Sequence, residues 1–187
     1  MLNEEETNEI GKNRWHHAPI HRTQSTGAYM ITGSTLHKEH LFSSSESLDL
    51  LESVLQEVVE NYRLGIRAWA LFPNHYHLIL LTYEESRPLK SFINHFHSLS
   101  SRKLNALTNT RGKQVWYQYW DTQLTYRNSY YARLNYVMQN PVKHELVKNA
   151  ENYRWCSARW FKENSTEGHY RTITSFKTDN ISVVDNF

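Results

Sequence analysis

Two histidines, His75 and His77, stand one residue apart at the start of an apolar run, in the stretch FPNHYHLILL. Successive side chains of a β-strand point to opposite faces, so both imidazoles would lie on one face and Tyr76 on the other. Neutral imidazole is a common metal ligand, and this spacing supplies two ligands from one rigid element. Because the chain has 11 histidines, the pair is also compatible with two partly exposed histidines at a strand start.

A predicted helix that precedes Pro141 supplies further reactive groups. Tyr136 and Asn140 are four residues apart, so they share one helical face and would present a phenol and an amide oxygen together. The same two residues are compatible with a packing tyrosine and an asparagine that caps the helix. Tyr130 and Tyr131 are alternative phenols, and spacing alone does not choose among the three tyrosines.

The composition limits the class of protein and the type of metal site. With 187 residues the chain is long enough for one sizeable core. Cys156 is the only cysteine, which excludes an internal disulfide framework and a zinc site built from several thiolates. Any metal must therefore use imidazole and oxygen ligands. No apolar run approaches the ~20 residues that span a membrane, and the acidic start is unlike a signal peptide, so we expect a soluble cytoplasmic protein.

Basic residues are concentrated in the middle of the chain. Residues 87–148 contain ten Lys or Arg and two acidic residues, a balance of +8, whereas the whole chain carries +2 and the rest therefore −6. This asymmetry indicates an anionic partner such as nucleic acid, although solvated charges dispersed over a surface give the same count. The residues that we predict to include phosphate contacts are Arg102, Lys103, Lys113 and Arg127.

The hydrophobic periodicity predicts seven elements between an irregular arm (1–26) and a tail (163–187). Strands are expected at 27–32, 66–71, 75–82 and 115–124. Helices are expected from a capping box at Ser43 and Glu46 to near Gly65, then at 88–107 and at 129–140, where Pro141 should end the last one. The element order predicts a single α+β domain over 27–162, with helices packed on an antiparallel sheet.

Four stretches together resemble the motif series of bacterial single-tyrosine HUH transposases, in particular the REP-associated tyrosine transposase-like proteins of the IS200-like superfamily. These stretches are FPNHYHLIL, VWYQYWDT, YARLNYVMQNPVKHELV and NYRWCS, in compatible order between about Tyr29 and Ala158. The tyrosine nucleophile of that family stands in a Y-x-x-x-N-P-V pattern, which Tyr136 matches. The resemblance thus selects Tyr136 over Tyr130 and Tyr131.

The resemblance implies a ferredoxin-like or RRM-like HUH fold that cleaves and rejoins single-stranded DNA through a 5′-phosphotyrosine at Tyr136. It implies Mg²⁺ or Mn²⁺ held by His75, His77 and Asn140, and a DNA substrate with an imperfect palindromic hairpin. The protein would act on the nucleoid, as a monomer or a homodimer. Many relatives have glycine where Glu145 stands here. Two alternatives remain: a domesticated hairpin-DNA-binding protein with little or no transfer activity, and an unrelated hydrolase with a two-histidine metal site in which Tyr136 is structural.

Overall fold

The computed structural model of the protein describes residues 26–178 and residue 181. Its strands are β1 (Gly27–Thr35), β2 (Gly65–Leu71), β3 (His75–Thr82) and β4 (Trp116–Leu124). Its helices are α1 (Ser45–Asn61), α2 (Leu89–Leu107), α3 (Arg127–Lys143), α4 (Ala158–Asn164) and α5 (Glu167–Thr174). No helix within these ranges has the length and apolar character needed to cross a membrane. The predicted α+β class is confirmed, and the predicted arm falls almost wholly outside the described residues.

The four strands form one antiparallel sheet in the order β2-β3-β1-β4. β2 and β3 are neighbours joined by a tight connection at Pro73 and Asn74, as the sequence predicts. β1 lies in the interior of the sheet and pairs with both β3 and β4. In this register His77 lies opposite Thr32 of β1, and His75 lies opposite Ser34.

Helices cover both faces of the sheet and create two apolar clusters. Tyr76, Leu78 and Leu80 of β3 belong to the cluster that α1 and α2 complete. Ile79, the residue between the last two, belongs to the cluster that α3, α4 and α5 complete. By the same alternation His75 and His77 point to the α3 side. The sheet therefore separates Tyr76, on the side of α1 and α2, from the imidazole pair, on the side of α3.

The stretch NYRWCS closes the edge of the sheet beside β2. The main-chain N–H of Ser157 donates to the Trp69 carbonyl at 2.8 Å, and the Trp69 N–H donates to the Ser157 hydroxyl at 3.0 Å. The Leu71 N–H donates to the Trp155 carbonyl at 2.9 Å, and the Tyr153 hydroxyl donates to the Leu71 carbonyl at 2.9 Å. These bonds satisfy the edge groups that an open strand would leave available for pairing with other chains.

Both ends of α1 differ from the prediction. The capping box forms between Ser44 and Ser47, because the Ser47 hydroxyl takes the role that the prediction gave to Glu46. The helix ends at Asn61, and the left-handed residue that reverses the chain is Arg63, with φ of 54°. Gly65 instead begins β2. Adjacent serines at residues 43–45 offer alternative cap positions, and a non-glycine residue takes the left-handed conformation at the other end, so the boundaries shifted while the helix remained.

α3 continues through Pro141, where the sequence predicted its end. A proline lacks the N–H that would bond to the carbonyl four residues earlier, here that of Val137. Because Pro141 lies in the last turn, only this bond is lost and the helix extends to Lys143. The Cys156 thiol lies 3.8 Å from the Val137 carbonyl oxygen and 3.5 Å from that of Met138. This weak donor partly replaces the missing amide.

The predicted tail from residue 163 contains a helix that the sequence analysis did not predict, α5, at residues 167–174. Thr166 caps this helix by accepting a hydrogen bond from the His169 N–H. Ile173 is fully buried against the α3 cluster, and the Asn135 amide of α3 donates to the carbonyls of Thr174 and Phe176 at 3.3 and 2.8 Å. These contacts help to dock a helix that the weak apolar content did not suggest.

Tyr76, the residue between the two histidines, ties β3 to α2. Its ring is fully buried and its hydroxyl lies 2.8 Å from His97 Nε2. The His97 ring stacks on Trp116 with centroids 4.8 Å apart, and burial lowers the pKa of His97 to about 3. Gly33 of β1 leaves room for the phenol, since a Cβ there would lie 2.5 Å from the Tyr76 ring. Because Tyr76 is fixed on the α2 side of β3, His75 and His77 lie on the α3 side.

We expect Gly33→Ala to lower the free energy of unfolding by about 1–3 kcal/mol, because the added methyl displaces a ring that has no free space. Urea denaturation of the purified protein measures the change. Gly168→Ala is the control: a Cβ at Gly168 meets no atom within 4 Å, and alanine favours a helix over glycine by about 1 kcal/mol. Equal stability of the Gly33→Ala variant and the wild type would contradict the packing described here.

Candidate functional site

The two imidazoles that begin β3 are both buried under α3. His75 is 2% exposed and His77 is 0% exposed, and their ring centroids lie 5.1 Å apart with the planes at 75°. The prediction that they lie on one face of a strand is therefore confirmed. The alternative of two partly exposed histidines is wrong, because α3 covers them.

The side chain before the pair orients the His75 ring. The Nδ1 atom of His75 lies 2.8 Å from the Asn74 side-chain oxygen, and the Asn74 amide nitrogen donates to the Lys38 carbonyl at 3.3 Å. The second bond identifies which Asn74 atom is the oxygen, so Nδ1 of His75 must carry the proton. Nε2 then has its lone pair available as a ligand. Phe72 stacks on the same ring at 4.4 Å.

The neighbouring strand orients His77. The Thr32 hydroxyl of β1 lies 2.8 Å from His77 Nδ1, and the two residues are direct partners in the register of the sheet. A hydrogen bond to Nδ1 leaves Nε2 directed away from the sheet, toward α3. Both rings are thus held by a bond to the nitrogen that a ligand would not use, which is the usual support of a metal-binding histidine.

α3 places Tyr136 beside the pair. The Tyr136 ring centroid lies 5.5 Å from that of His77, with the planes at 75°. The side chain is 3% exposed. Two turns further along the helix, the Lys143 ammonium group lies 3.5 Å from the phenol oxygen and 5.0 Å from the ring centroid. Phenol, imidazole and ammonium groups therefore meet at the boundary between α3 and the sheet.

Asn140 follows Tyr136 by one turn and is fully buried. Neither polar atom of its side chain has a hydrogen-bond partner among the residues that the structure describes. An unsatisfied buried amide costs about 1–3 kcal/mol, so its retention suits a group that binds something else. The described residues contain no cluster of three His, Cys, Asp or Glu side chains fit for a metal. A cation here would therefore need an amide oxygen beside the two imidazoles, and the residues present fit that donor set.

The sequence prediction missed Lys143 and His144, which also border the site. The His144 ring lies 5.0 Å from that of His75 and 5.3 Å from that of Phe72. Spacing held the necessary information, because His144 is four residues after Asn140 and Lys143 is seven after Tyr136, so each lies on the helical face of its partner. The predicted helix end at residue 140 removed both residues from consideration.

The turn that ends α3 holds these residues in place. The Leu146 N–H donates to the Pro141 carbonyl at 3.0 Å, and the Glu145 N–H donates to the Val142 carbonyl at 2.9 Å. These two bonds are those of a Schellman motif, which requires a left-handed residue that is usually glycine. Glu145 occupies that position with φ of 57°. A glutamate in this position indicates backbone strain in this chain.

The four predicted phosphate contacts do not gather around the imidazole pair. Arg102 and Lys103 lie on α2, which covers the opposite face of the sheet, and Lys103 forms an ion pair with Glu57 at 3.1 Å. Lys113 pairs with Glu39 at 2.8 Å and lowers the pKa of that carboxyl.

The two rival tyrosines lie near the start of α3, away from Tyr136. Arg127 donates from Nε to the Tyr131 hydroxyl at 3.1 Å. Tyr130 lines a cavity with Trp160. Of the ten basic residues in 87–148, three lie on α2 and three on α3, on opposite sides of the sheet, so the charge excess is not confined to one face.

Comparison with known proteins shows which family the sequence of this chain matches. Residues 23–135, more than half of the chain, match the family described as "Transposase IS200 like". This stretch contains both histidines of the pair and ends one residue before Tyr136. No curated protein matches the sequence.

Two solved structures are similar to this chain. A REP-associated tyrosine transposase bound to a REP hairpin has a TM-score of 0.69 and 18% sequence identity, covering 87% of this chain and 93% of the other. A proposed transposase from Deinococcus radiodurans R1 has a TM-score of 0.46 and 14% identity, covering 68% and 93%. The first similarity shows a common fold.

We expect Glu145→Gly to stabilise the protein. A non-glycine residue in the left-handed region costs about 1–2 kcal/mol, which glycine would relieve. The greater freedom of glycine in the unfolded chain offsets part of that relief, so the free energy of unfolding should rise by about 0.5–1 kcal/mol. Thermal or urea unfolding measures it. Glu145→Ala removes the same carboxylate without relieving φ and should gain nothing; an equal gain in both variants would refute backbone strain as the cause.

Proposed function

This chain belongs to the IS200-like transposase family, and we propose that it cleaves and rejoins single-stranded DNA at hairpin elements through a covalent bond to Tyr136. The observation that carries the proposal is the distance of 5.5 Å between the rings of His77 and Tyr136. It brings a nucleophile from α3 next to a pair of possible metal ligands from β3. A tyrosine that served packing alone would not require buried imidazoles as neighbours.

Hairpin DNA is the proposed substrate because of a structural relative. The transposase with a TM-score of 0.69 is bound to a REP hairpin, and the alignment covers 87% of this chain. A similar fold supports a similar way of presenting the DNA. Among the basic side chains, Arg127 and Lys143 of α3 are on the face of the sheet that carries the imidazole pair, where a polyanionic partner would bind.

The reaction begins with Tyr136. Its phenol oxygen attacks the phosphorus atom of the scissile phosphodiester and gives up its proton. The bond from phosphorus to the 3′ oxygen breaks, and that oxygen takes a proton to become a 3′-hydroxyl. The new 5′-phosphotyrosine is itself a phosphodiester, so a 3′-hydroxyl from the same or another strand can reverse the step without an external energy source.

Lys143 has a defined electrostatic role in this scheme. A free phenol has a pKa of ~10 and is a poor nucleophile at neutral pH. The Lys143 ammonium group, 3.5 Å from the Tyr136 oxygen, stabilises negative charge that develops there as the proton leaves. Lys143 is exposed whereas Tyr136 is buried, so the ammonium group also marks the side from which a phosphate reaches the phenol.

His75, His77 and Asn140 are the proposed ligands of Mg²⁺ or Mn²⁺. When bound, such a cation neutralises charge on the phosphate oxygens and orients the phosphate for in-line attack. The protein prepares this site by holding the two rings through Asn74 and Thr32. Coordination would also satisfy the Asn140 amide oxygen, which is buried and otherwise unpaired among the described residues.

Removal of the phenol tests the nucleophile. We expect Tyr136→Phe to reduce formation of a denaturation-resistant protein–DNA adduct by at least about 1,000-fold, since no other group replaces a lost nucleophile. The assay uses labelled single-stranded hairpin DNA and Mn²⁺, followed by denaturing electrophoresis. Tyr131→Phe is the matched control and should retain the adduct.

Each other outcome assigns a different function. Wild type that binds the hairpin but forms no adduct would be a DNA-binding protein without transfer activity, for which the 3% exposure of Tyr136 is the structural argument. Cleavage by wild type and Tyr136→Phe alike would show that another nucleophile, such as water, attacks the phosphate.

The ligand set is testable without DNA. We expect the wild-type protein to bind one Mn²⁺ and the Asn140→Ala and His77→Ala variants to bind it at least about 10-fold more weakly. Thr32→Val leaves the ligands intact but removes the hydroxyl that orients His77, so it should also weaken Mn²⁺ binding by about 10-fold or more. Isothermal titration calorimetry measures each affinity. Tyr136→Phe keeps all three ligands and should bind Mn²⁺ like wild type. Unchanged affinity in Asn140→Ala would remove this residue from the site.

A further inference from the structure

A second concave site lies on the same face of the sheet as Tyr136. This cavity of about 320 Å³ is formed by β2, β3, α3, α4 and α5. Its lining combines apolar side chains, such as Leu134 and Phe161, with aromatic rings and one guanidinium group, that of Arg67. Its volume is at the lower end of the range of small-molecule sites, about 300–1,000 Å³, and so suits a single ring system.

Aromatic side chains form the walls of the cavity. Trp160 of α4 is 40% exposed, although its ring rests on Trp69 with centroids 5.6 Å apart. A large exposed aromatic ring held by a second ring is a ready-made stacking surface. Tyr130 stands beside it, and burial raises the pKa of its phenol while the charge of Arg67 opposes that rise. Arg67 and Tyr130 both line the cavity.

The cavity is also close to the proposed nucleophile along α3. Tyr130 precedes Tyr136 by six residues, which corresponds to about 9 Å along a helix axis. Six residues also turn by about 240° around that axis, so a strand whose phosphate lies at Tyr136 must pass around α3 to reach the cavity. At about 3.4 Å per stacked nucleotide, the axial distance alone takes about three nucleotides.

We propose that this cavity binds one base of single-stranded DNA, stacked on Trp160, with Arg67 contacting an adjoining phosphate. The proposal rests on the function proposed above. Aromatic platforms beside cationic side chains are the typical means of binding single strands. Asn164 and His169, which also line the cavity, provide polar atoms for the edge of the base. A paired base would first have to leave its stack to enter, so the site favours unpaired nucleotides next to the hairpin.

The test compares hairpin DNA with and without a short single-stranded extension, using the full-length protein. Trp160→Ala should weaken binding of the extended hairpin by about 10-fold and leave binding of the blunt hairpin unchanged. Tyr117→Ala is the matched control: Tyr117 is also an exposed aromatic, at 55%, but it lies on β4 at the opposite edge of the sheet. It should bind both DNAs like wild type.

Abasic substitution identifies the nucleotide. One abasic position in the extension should cost wild type about as much as Trp160→Ala does, and should cost the Trp160→Ala variant nothing more. If circular dichroism shows that Trp160→Ala is not folded, Arg67→Gln replaces it, because Arg67 is exposed and its substitution should preserve the fold. Arg67→Gln should weaken binding of the extended hairpin only.

Two results overturn the proposal: equal affinity of wild type for extended and blunt hairpins, or unchanged binding of the extended hairpin by Trp160→Ala and Arg67→Gln. The Tyr136 adduct is measured in the same preparations. An adduct in wild type together with either of these results refutes the base-binding cavity alone, and the strand-transfer function stands. Absence of the adduct refutes strand transfer, whatever the binding data show.

Discussion

The alternation of side chains along β3 is the constraint on which the site depends. Tyr76 is buried on the α2 side and bonded to His97, so its two neighbours must both emerge on the α3 side. A shift of one residue in the register of β3 would exchange the two faces, so that the Tyr76 side chain would lie where the imidazoles now lie. Gly33 contributes by allowing the close approach of the Tyr76 ring. The packing core and the candidate metal ligands are thus set by the same strand.

α3 provides the second half of the site along its last three turns. Tyr136 and Asn140 are buried on this helix, and Lys143 and the C-cap residue His144 follow them because the helix passes through Pro141 without a break. The Cys156 thiol and the Schellman turn stabilise that unusual end. A helix that stopped at residue 140 would lose the ammonium group beside the phenol. The proposed chemistry therefore depends on packing contacts that involve none of the reacting groups.

Much of the fold follows from periodicity alone. β3 was predicted with its observed bounds, His75–Thr82, because the apolar run begins directly after a Pro-Asn turn. The end of α3 was missed since the rule for proline describes a helix interior and here Pro141 sits in the last turn. α5 was missed because tertiary contacts, chiefly those of Ile173 and Asn135, hold a segment of low apolar content.

The site was predictable to a different extent. The histidine pair is a local pattern, so its shared face could be inferred from sequence. Asn140 and Tyr136 come from α3, which is distant in sequence from β3. Only the order of the motifs connected them to the two histidines. Charge counting along the chain carried no information on sheet faces, so Arg102 and Lys103 appeared equivalent to Arg127 although α2 and α3 lie on opposite sides.

The most direct test of the central claim is anomalous diffraction from a crystal of Tyr136→Phe grown with Mn²⁺ and a single-stranded hairpin. Convergence of the phenol and the imidazoles on one phosphate predicts a Mn²⁺ peak bonded to Nε2 of His75 and of His77, with a DNA phosphate between the metal and the ring of residue 136. A metal bound elsewhere, or a DNA backbone that passes on the α2 side of the sheet, would contradict it.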